Sequence, residues 1–192
     1  MNTSAKRVVP LTLLVWLCLG VGVAGVFRNV SAPAVAATVW TLTAMALLAC
    51  WKITAIRVWV LEVDLRWLVS IHLTRFIAGI YFLVLCRRGE LPCAFATRAG
   101  WGDILVALLA MPVIAAVRGQ SATKVVLVWN TIGFIDIVFV VFSALRFGLQ
   151  DWQSMHALRQ PPLSLLPTFL VPLIIASHVL IFVRIAQARK ID

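Results

Sequence analysis

Apolar residues in this chain gather in long blocks rather than in the narrow stripes of a helix that rests on a soluble core. Six of these blocks approach the roughly 20 residues that a membrane-spanning helix needs. They cover residues 8–26, 33–51, 67–86, about 91–117, 125–147 and 164–183. The pattern predicts an all-α, polytopic transmembrane bundle of six spans, with residues 1–192 forming a single integral membrane domain. The first block follows a positively charged start, as a signal peptide would, but its length favours a membrane helix. In the fourth block Pro92, Arg98, Gly100, Gly102 and Asp103 interrupt the first half and Pro112 the second, which predicts a kinked or partly unwound helix.

Residues 52–66 (KITAIRVWVLEVDLR) mix apolar positions with both charge signs, the pattern of a segment lying at the interface with Trp59 and basic stems as anchors. The stretch 148–163, with Asp151, His156, Pro161 and Pro162, reads as a connection outside the membrane. Most of the tryptophans fall near span ends, as an interfacial belt requires, and Trp129 stands apart because it adjoins Asn130. N-x-S triplets at Asn2 and Asn29 are short enough to arise by chance.

Composition sharpens this picture. The chain is 62% hydrophobic and 12% charged, against about 45–50% and about 25% in soluble domains, so an ordinary soluble globule is excluded. The net charge of +10 would point to nucleic acid in a soluble protein. Here most basic residues sit in short connections, where they meet lipid headgroups, and no basic run carries the interleaved aromatics of a nucleic-acid surface. The lipid bilayer is the expected partner and nucleic acid is not. With six spans both termini share a side, on which Lys6, Arg7, Lys52, Arg57, Arg66, Arg118, Lys124, Arg184, Arg189 and Lys190 fall. The other side has Arg28, Arg87, Arg88, Arg98, Arg146 and Arg159. This bias favours cytoplasmic termini in a plasma or inner membrane.

Four cysteines without a CxxC exclude a disulfide framework, a zinc ribbon and covalent haem. Cys18 and Cys50 read as small core residues, and Cys86 and Cys93 as free thiols that would pair only in an oxidising compartment.

Ionisable side chains inside spans are expensive and normally face a protein interior, so each is informative. They are His72 and Arg75 on the third span, Asp103 on the fourth, Asp136 on the fifth and His178 on the sixth, with Asn130 as a neutral partner. Helical rise places His72, Asn130 and His178 at one depth, roughly 8 Å inside the terminal face. Arg75 shares a face with His72, one turn deeper. The stripe continues through Phe76, Gly79 and Phe82, while Asn130, Gly133 and Asp136 form one broad face of the fifth span. Ala96, Ala99, Asp103, Ala107 and Ala110 make a small-residue stripe that lets helices approach. Arg75 cannot shed its proton, so Asp103, Asp136 or both are expected to neutralise it, leaving a second carboxylate for proton exchange.

Three uses of such a chamber compete with the plain alternative that the polar groups only fasten helices together. The first is a cofactor or small-ligand site, most specifically a single b-type haem between His72 and His178. Gly79 or Gly133 would admit the macrocycle, Arg75 would meet a propionate, and Asn130 would sit beside it. A divalent metal held by His72, His178 and Asp136 is a variant. The second is a proton-coupled carrier for a small solute, favouring a homo-oligomer, in which Arg75 binds an anionic group and Asp103 or Asp136 carries the proton. The third is an intramembrane enzyme acting on a small hydrophobic substrate, with His72 as general base, Asp136 as acid, and Arg75 and Asp103 completing the catalytic set. No mid-membrane lysine exists for a Schiff base, and no HExxH, GxSxG triad or Walker sequence is present.

Overall fold

The structure is a computed structural model that describes residues 3–26, 30–117 and 122–188. Arg28, Arg118, Arg189 and Lys190 of the charge bias, and both N-x-S asparagines, lie outside the described residues. Six helical spans long and apolar enough to cross a membrane are present among the described residues. This is an all-α integral membrane protein, and lipid-facing side chains such as Leu14, Ile77, Leu105 and Ile135 cover its outside.

The first two spans are α1 (Thr3–Val26) and α2 (Ala32–Lys52). Residues 52–66 give the short helix α3 (Thr54–Glu62), which packs against both and turns Ile56 and Val60 inward. The third span is α4 (Leu65–Ser70), a 3-10 turn at Ile71–Leu73, then α5 (Thr74–Arg87). Asp64 caps α4 by accepting from the Arg66 N–H at 2.9 Å, and its hydrogen bonds with Arg66 hold the Asp64 carboxyl down to about 2. Helices α6 (Cys93–Ala116) and α7 (Ala122–Gln150) follow. The sixth span is a π turn at Leu166–Leu170 leading into α8 (Val171–Ala188).

Departures from α geometry do not fall where Gly and Pro density in the fourth block suggested. α6 runs unbroken from Cys93 to Ala116 with Pro112 on its exposed side. Gly100 acts there as a packing position, because a methyl group on it would fall 2.8 Å from the Gly79 carbonyl oxygen. Gly79 is its counterpart, and the pair brings α5 and α6 into backbone contact along the buried stripe Ala96, Ala99, Asp103, Ala107 and Ala110. In the sixth span Pro167 and Pro172 remove two backbone donors, and the Thr168 hydroxyl donates to the Ser164 carbonyl at 2.8 Å beside them.

The interior is layered along the helix axes. At one end Phe82, Leu85, Leu91, Phe95 and Met155 form an apolar cluster, closed by residues 151–165, which fold back into the bundle. At the other end Leu68, Val69, Val113, Val126 and Ile185 form a second one. The buried polar residues lie between them.

Two cysteine expectations change. Cys86 and Cys93 are joined in a disulfide that ties the end of α5 to the start of α6, across a reversal made by Gly89 at φ 70°. Cys18 is exposed on the outer face of α1 rather than packed in a core.

Candidate functional site

Arg75 is the centre of the polar layer. It is 1% exposed, and every nitrogen of its guanidinium has an acceptor. Nε donates to Asp103 Oδ1 at 2.6 Å, Nη1 donates to the Gly133 carbonyl oxygen at 3.1 Å, and Nη2 donates to Asp136 Oδ2. Three spans are thereby tied together through one side chain. Gly102 makes room for this arrangement, since a side-chain carbon there would collide with the Asp136 carboxylate. The expectation of one free carboxylate is not met, because both are ion-paired to Arg75. Nor is Arg75 available to an anionic ligand or a propionate, since its donors are taken inside the bundle.

One helical turn away lies an imidazole pair. His72 and His178 are both fully buried, with ring centroids 4.1 Å apart at an interplanar angle of 44°. The 3-10 turn carries His72 and α8 carries His178. Their tautomers follow from their partners. Asn130 Nδ2 donates to the His178 carbonyl at 3.0 Å, which turns Asn130 Oδ1 toward the ring, where it accepts from His178 Nδ1 at 2.7 Å. Ser177 gives its single proton to the Ile174 carbonyl at 2.8 Å, so its oxygen accepts from His72 Nε2 at 3.1 Å. Each ring is left with one further nitrogen: Nδ1 on His72 and Nε2 on His178. Neither of these nitrogens has a hydrogen-bond partner. A buried polar atom without a partner costs about 1–3 kcal/mol.

Gly133 joins the two halves of the layer. Its carbonyl holds Arg75 while its bare α-carbon faces the His178 ring. Trp129 closes the side, donating from Nε1 to the Val106 carbonyl at 3.0 Å and meeting His72 edge-on at 5.0 Å between centroids.

A b-type haem does not fit between the two imidazoles. Metal–nitrogen bonds of about 2 Å on both faces of a porphyrin would hold the ring centroids about 6 Å apart, whereas here they are 4.1 Å apart. The divalent site fails on ligands: Asp136 belongs to Arg75, and no three His, Cys, Asp or Glu side chains among the described residues converge on one point. His72 and Asp136, expected as base and acid, are held by different partners, Ser177 and Arg75. Gly79 admits the α6 backbone rather than a cofactor, and Phe76 faces outward.

Sequence reasoning missed Ser177 and Gly102. An intramembrane serine next to a histidine, and a glycine next to Asp103, were the available signals. It also missed a cavity of about 230 Å³ between α1, α2, α3, α4 and α8. Trp16, Trp59, Trp67, Cys50 and Ala176 line it, and Ser177 is in its wall. None of its lining residues is charged, and Trp67 at its edge is 71% exposed.

A family model described as a domain of unknown function, DUF8737, matches residues 32–186. Comparison with curated proteins and with solved structures returns no match.

Proposed function

With that match the chain belongs to the DUF8737 family, and we infer from its geometry that it is a membrane protein that receives a neutral, lipid-soluble small molecule in the chamber beside Ser177. The observation that carries the reading is the position of Ser177, which lines the apolar chamber on one side and hydrogen-bonds the buried His72 on the other. A ligand whose tail fills the chamber and whose head meets the Ser177 hydroxyl therefore touches the polar layer through one hydrogen bond. The uncharged wall argues against a phosphate or carboxylate head, because an anion there would be desolvated without a partner. Three indoles in the wall suit a flat or branched apolar body.

The test is mass spectrometry of small molecules that copurify with the full chain in mild detergent. A single class of neutral lipid is expected, reduced at least tenfold in Ala49→Phe, which fills the chamber without touching the polar layer. Equal recovery from the filled variant would overturn the reading.

A proton-coupled carrier is the second reading, favoured by one observation: the spans that bring in His72 and His178 are the ones broken from α geometry, at Ile71–Leu73 and Leu166–Leu170. It requires proton-dependent solute uptake by the full chain in proteoliposomes.

Both readings place the termini in the cytoplasm of a plasma or inner membrane. The basic residues favour that side, and the Cys86–Cys93 disulfide lies at the opposite face, where an oxidising compartment would keep it.

A further inference from the structure

We propose that the outer groove between α6 and α7 holds one anionic glycerophospholipid, with an acyl chain lying along the groove and the phosphate at Lys124. Leu109, Val113 and Ala116 on α6 and Val125, Trp129 and Ile132 on α7 recur at i, i+3 or i+4, and i+7, so each helix turns one stripe toward the same space. That space is about 600 Å³. The buried Val113 and Trp129 are its floor, and the exposed Leu109, Val125, Val128 and Ile132 are its rims. Every lining residue except Lys124 is apolar, and the Trp129 N–H is spent on the Val106 carbonyl. Walls without a free donor or acceptor do not hold water. Because the rims face outward from a membrane-spanning bundle, hydrocarbon is the medium that fills the groove.

Lys124 decides which lipid that is. It is exposed in the first turn of α7, where no acidic residue stands, and among the described residues no carboxylate pairs with it. An ammonium at the mouth of an apolar groove complements a molecule that is itself a hydrocarbon chain ending in a phosphate. From Leu109 to Ala116 seven helical rises give about 10 Å, inside the roughly 15 Å of hydrocarbon that one leaflet offers. A chain in the groove therefore comes from the leaflet at the Lys124 end, and its head reaches the lysine. With the orientation proposed above this is the cytoplasmic leaflet, where anionic lipids concentrate. The groove is separate from the chamber beside Ser177, whose wall has no charged residue. Its floor nevertheless touches the polar layer, since Trp129 meets His72 edge-on at 5.0 Å between centroids.

The experiment mixes the full chain in mild detergent with equal amounts of phosphatidylglycerol and phosphatidylcholine of matched chains and counts the lipids retained by native mass spectrometry. One phosphatidylglycerol per chain is expected, favoured about fivefold over phosphatidylcholine, the preference that one cation near the membrane surface gives. Lys124→Ala should erase this preference and Lys124→Arg should keep it, while Ala116→Phe, which fills the groove, should release both lipids. Where Ala116→Phe does not fold by circular dichroism, Val128→Trp fills the groove from its exposed rim and should do the same. Phosphatidylglycerol with dibrominated chains should quench an emission component that Trp129→Phe lacks, which a lipid held only by surface charge would not do. Ala49→Phe, in the chamber, should change none of these results, so failure here and failure of the chamber reading are distinct. Equal retention of the two lipids by the parent, a preference that survives Lys124→Ala, retention unchanged in the filled variants, or quenching identical in Trp129→Phe would each overturn the assignment.

Discussion

The ring of His178 rests against the bare α-carbon of Gly133, where a methyl group would fall 2.7 Å from Cε1. Val106 Cγ1 stands 3.0 Å from the same point, so the added methyl must displace these side chains. Gly133→Ala should therefore push His178 off Asn130 and loosen the Arg75 bond on the other side of the residue. Overpacking of this kind costs about 1–3 kcal/mol, and loss of the buried hydrogen bond adds to it. The check is thermal unfolding in detergent: a transition unchanged within error would show that α7 and α8 are not held at this point.

Arg75 is the side chain whose loss should be felt most. Removing one partner of a buried ion pair strands the others, at about 3–5 kcal/mol, and here two carboxylates and a carbonyl would be stranded together. Arg75→Ala should unfold at markedly lower denaturant than the parent. Arg75→Lys should recover only part of the difference, because an ammonium cannot direct bonds to Asp103, Gly133 and Asp136 from a planar fork. Full recovery by lysine would mean that charge alone matters and that the geometry of the cluster does not.

The spans were legible because hydrocarbon leaves its mark on every residue of a block, and the ion cluster was legible because charge inside a block has few allowed partners. Other features depend on groups distant in sequence. Gly100, Gly102 and Asp103 read as helix breakers, yet they are the positions where α5 and α7 press on an unbroken α6. The 3-10 turn at Ile71–Leu73 contains neither glycine nor proline, so nothing local announces it. Spacing could place His72 and His178 at one depth but could not give the orientation of their rings, on which the exclusion of haem rests. The chamber is a gap shared by five helices, and a gap has no residue of its own to mark it.

Gly79 offers a test of the α5–α6 contact that leaves the polar groups chemically intact. A methyl group there would fall 2.5 Å from the Gly100 carbonyl oxygen and 2.8 Å from Ile104 Cγ1. Because the first obstacle is backbone, the helices must part, and Asp103, whose Cβ is 3.2 Å from the same point, moves with them. Gly79→Ala should lower the unfolding transition by an amount comparable to Gly133→Ala. The double variant should cost less than the sum, since both changes disturb the same Arg75 bonds. Strict additivity would separate the two contacts.

Labelling can decide which face holds the disulfide. In a background without Cys18 and Cys50, intact cells should show no reaction of Cys86 or Cys93 with a membrane-impermeant maleimide. After brief treatment with an impermeant reductant both should react, because Cys93 is exposed and the pair lies at one end of the bundle. Labelling without reduction would mean free thiols, and labelling only after lysis would turn the molecule over in the membrane.

Ser177 separates a structural role from a ligand-binding one. In Ser177→Ala the His72 Nε2–H loses its acceptor and stays buried, at about 1–3 kcal/mol, whether or not anything occupies the chamber. Ser177→Thr keeps the hydroxyl bonded to His72 but adds a methyl group toward the chamber wall, where Ala176 and Leu180 already stand. A purely structural serine predicts that threonine restores stability and leaves copurified lipid unchanged. The proposed function predicts instead that threonine restores the unfolding transition while lipid recovery stays reduced, as in Ala49→Phe. Unfolding curves and lipid mass spectrometry on the same three preparations distinguish these outcomes, because only a ligand at the hydroxyl lets the two readouts diverge.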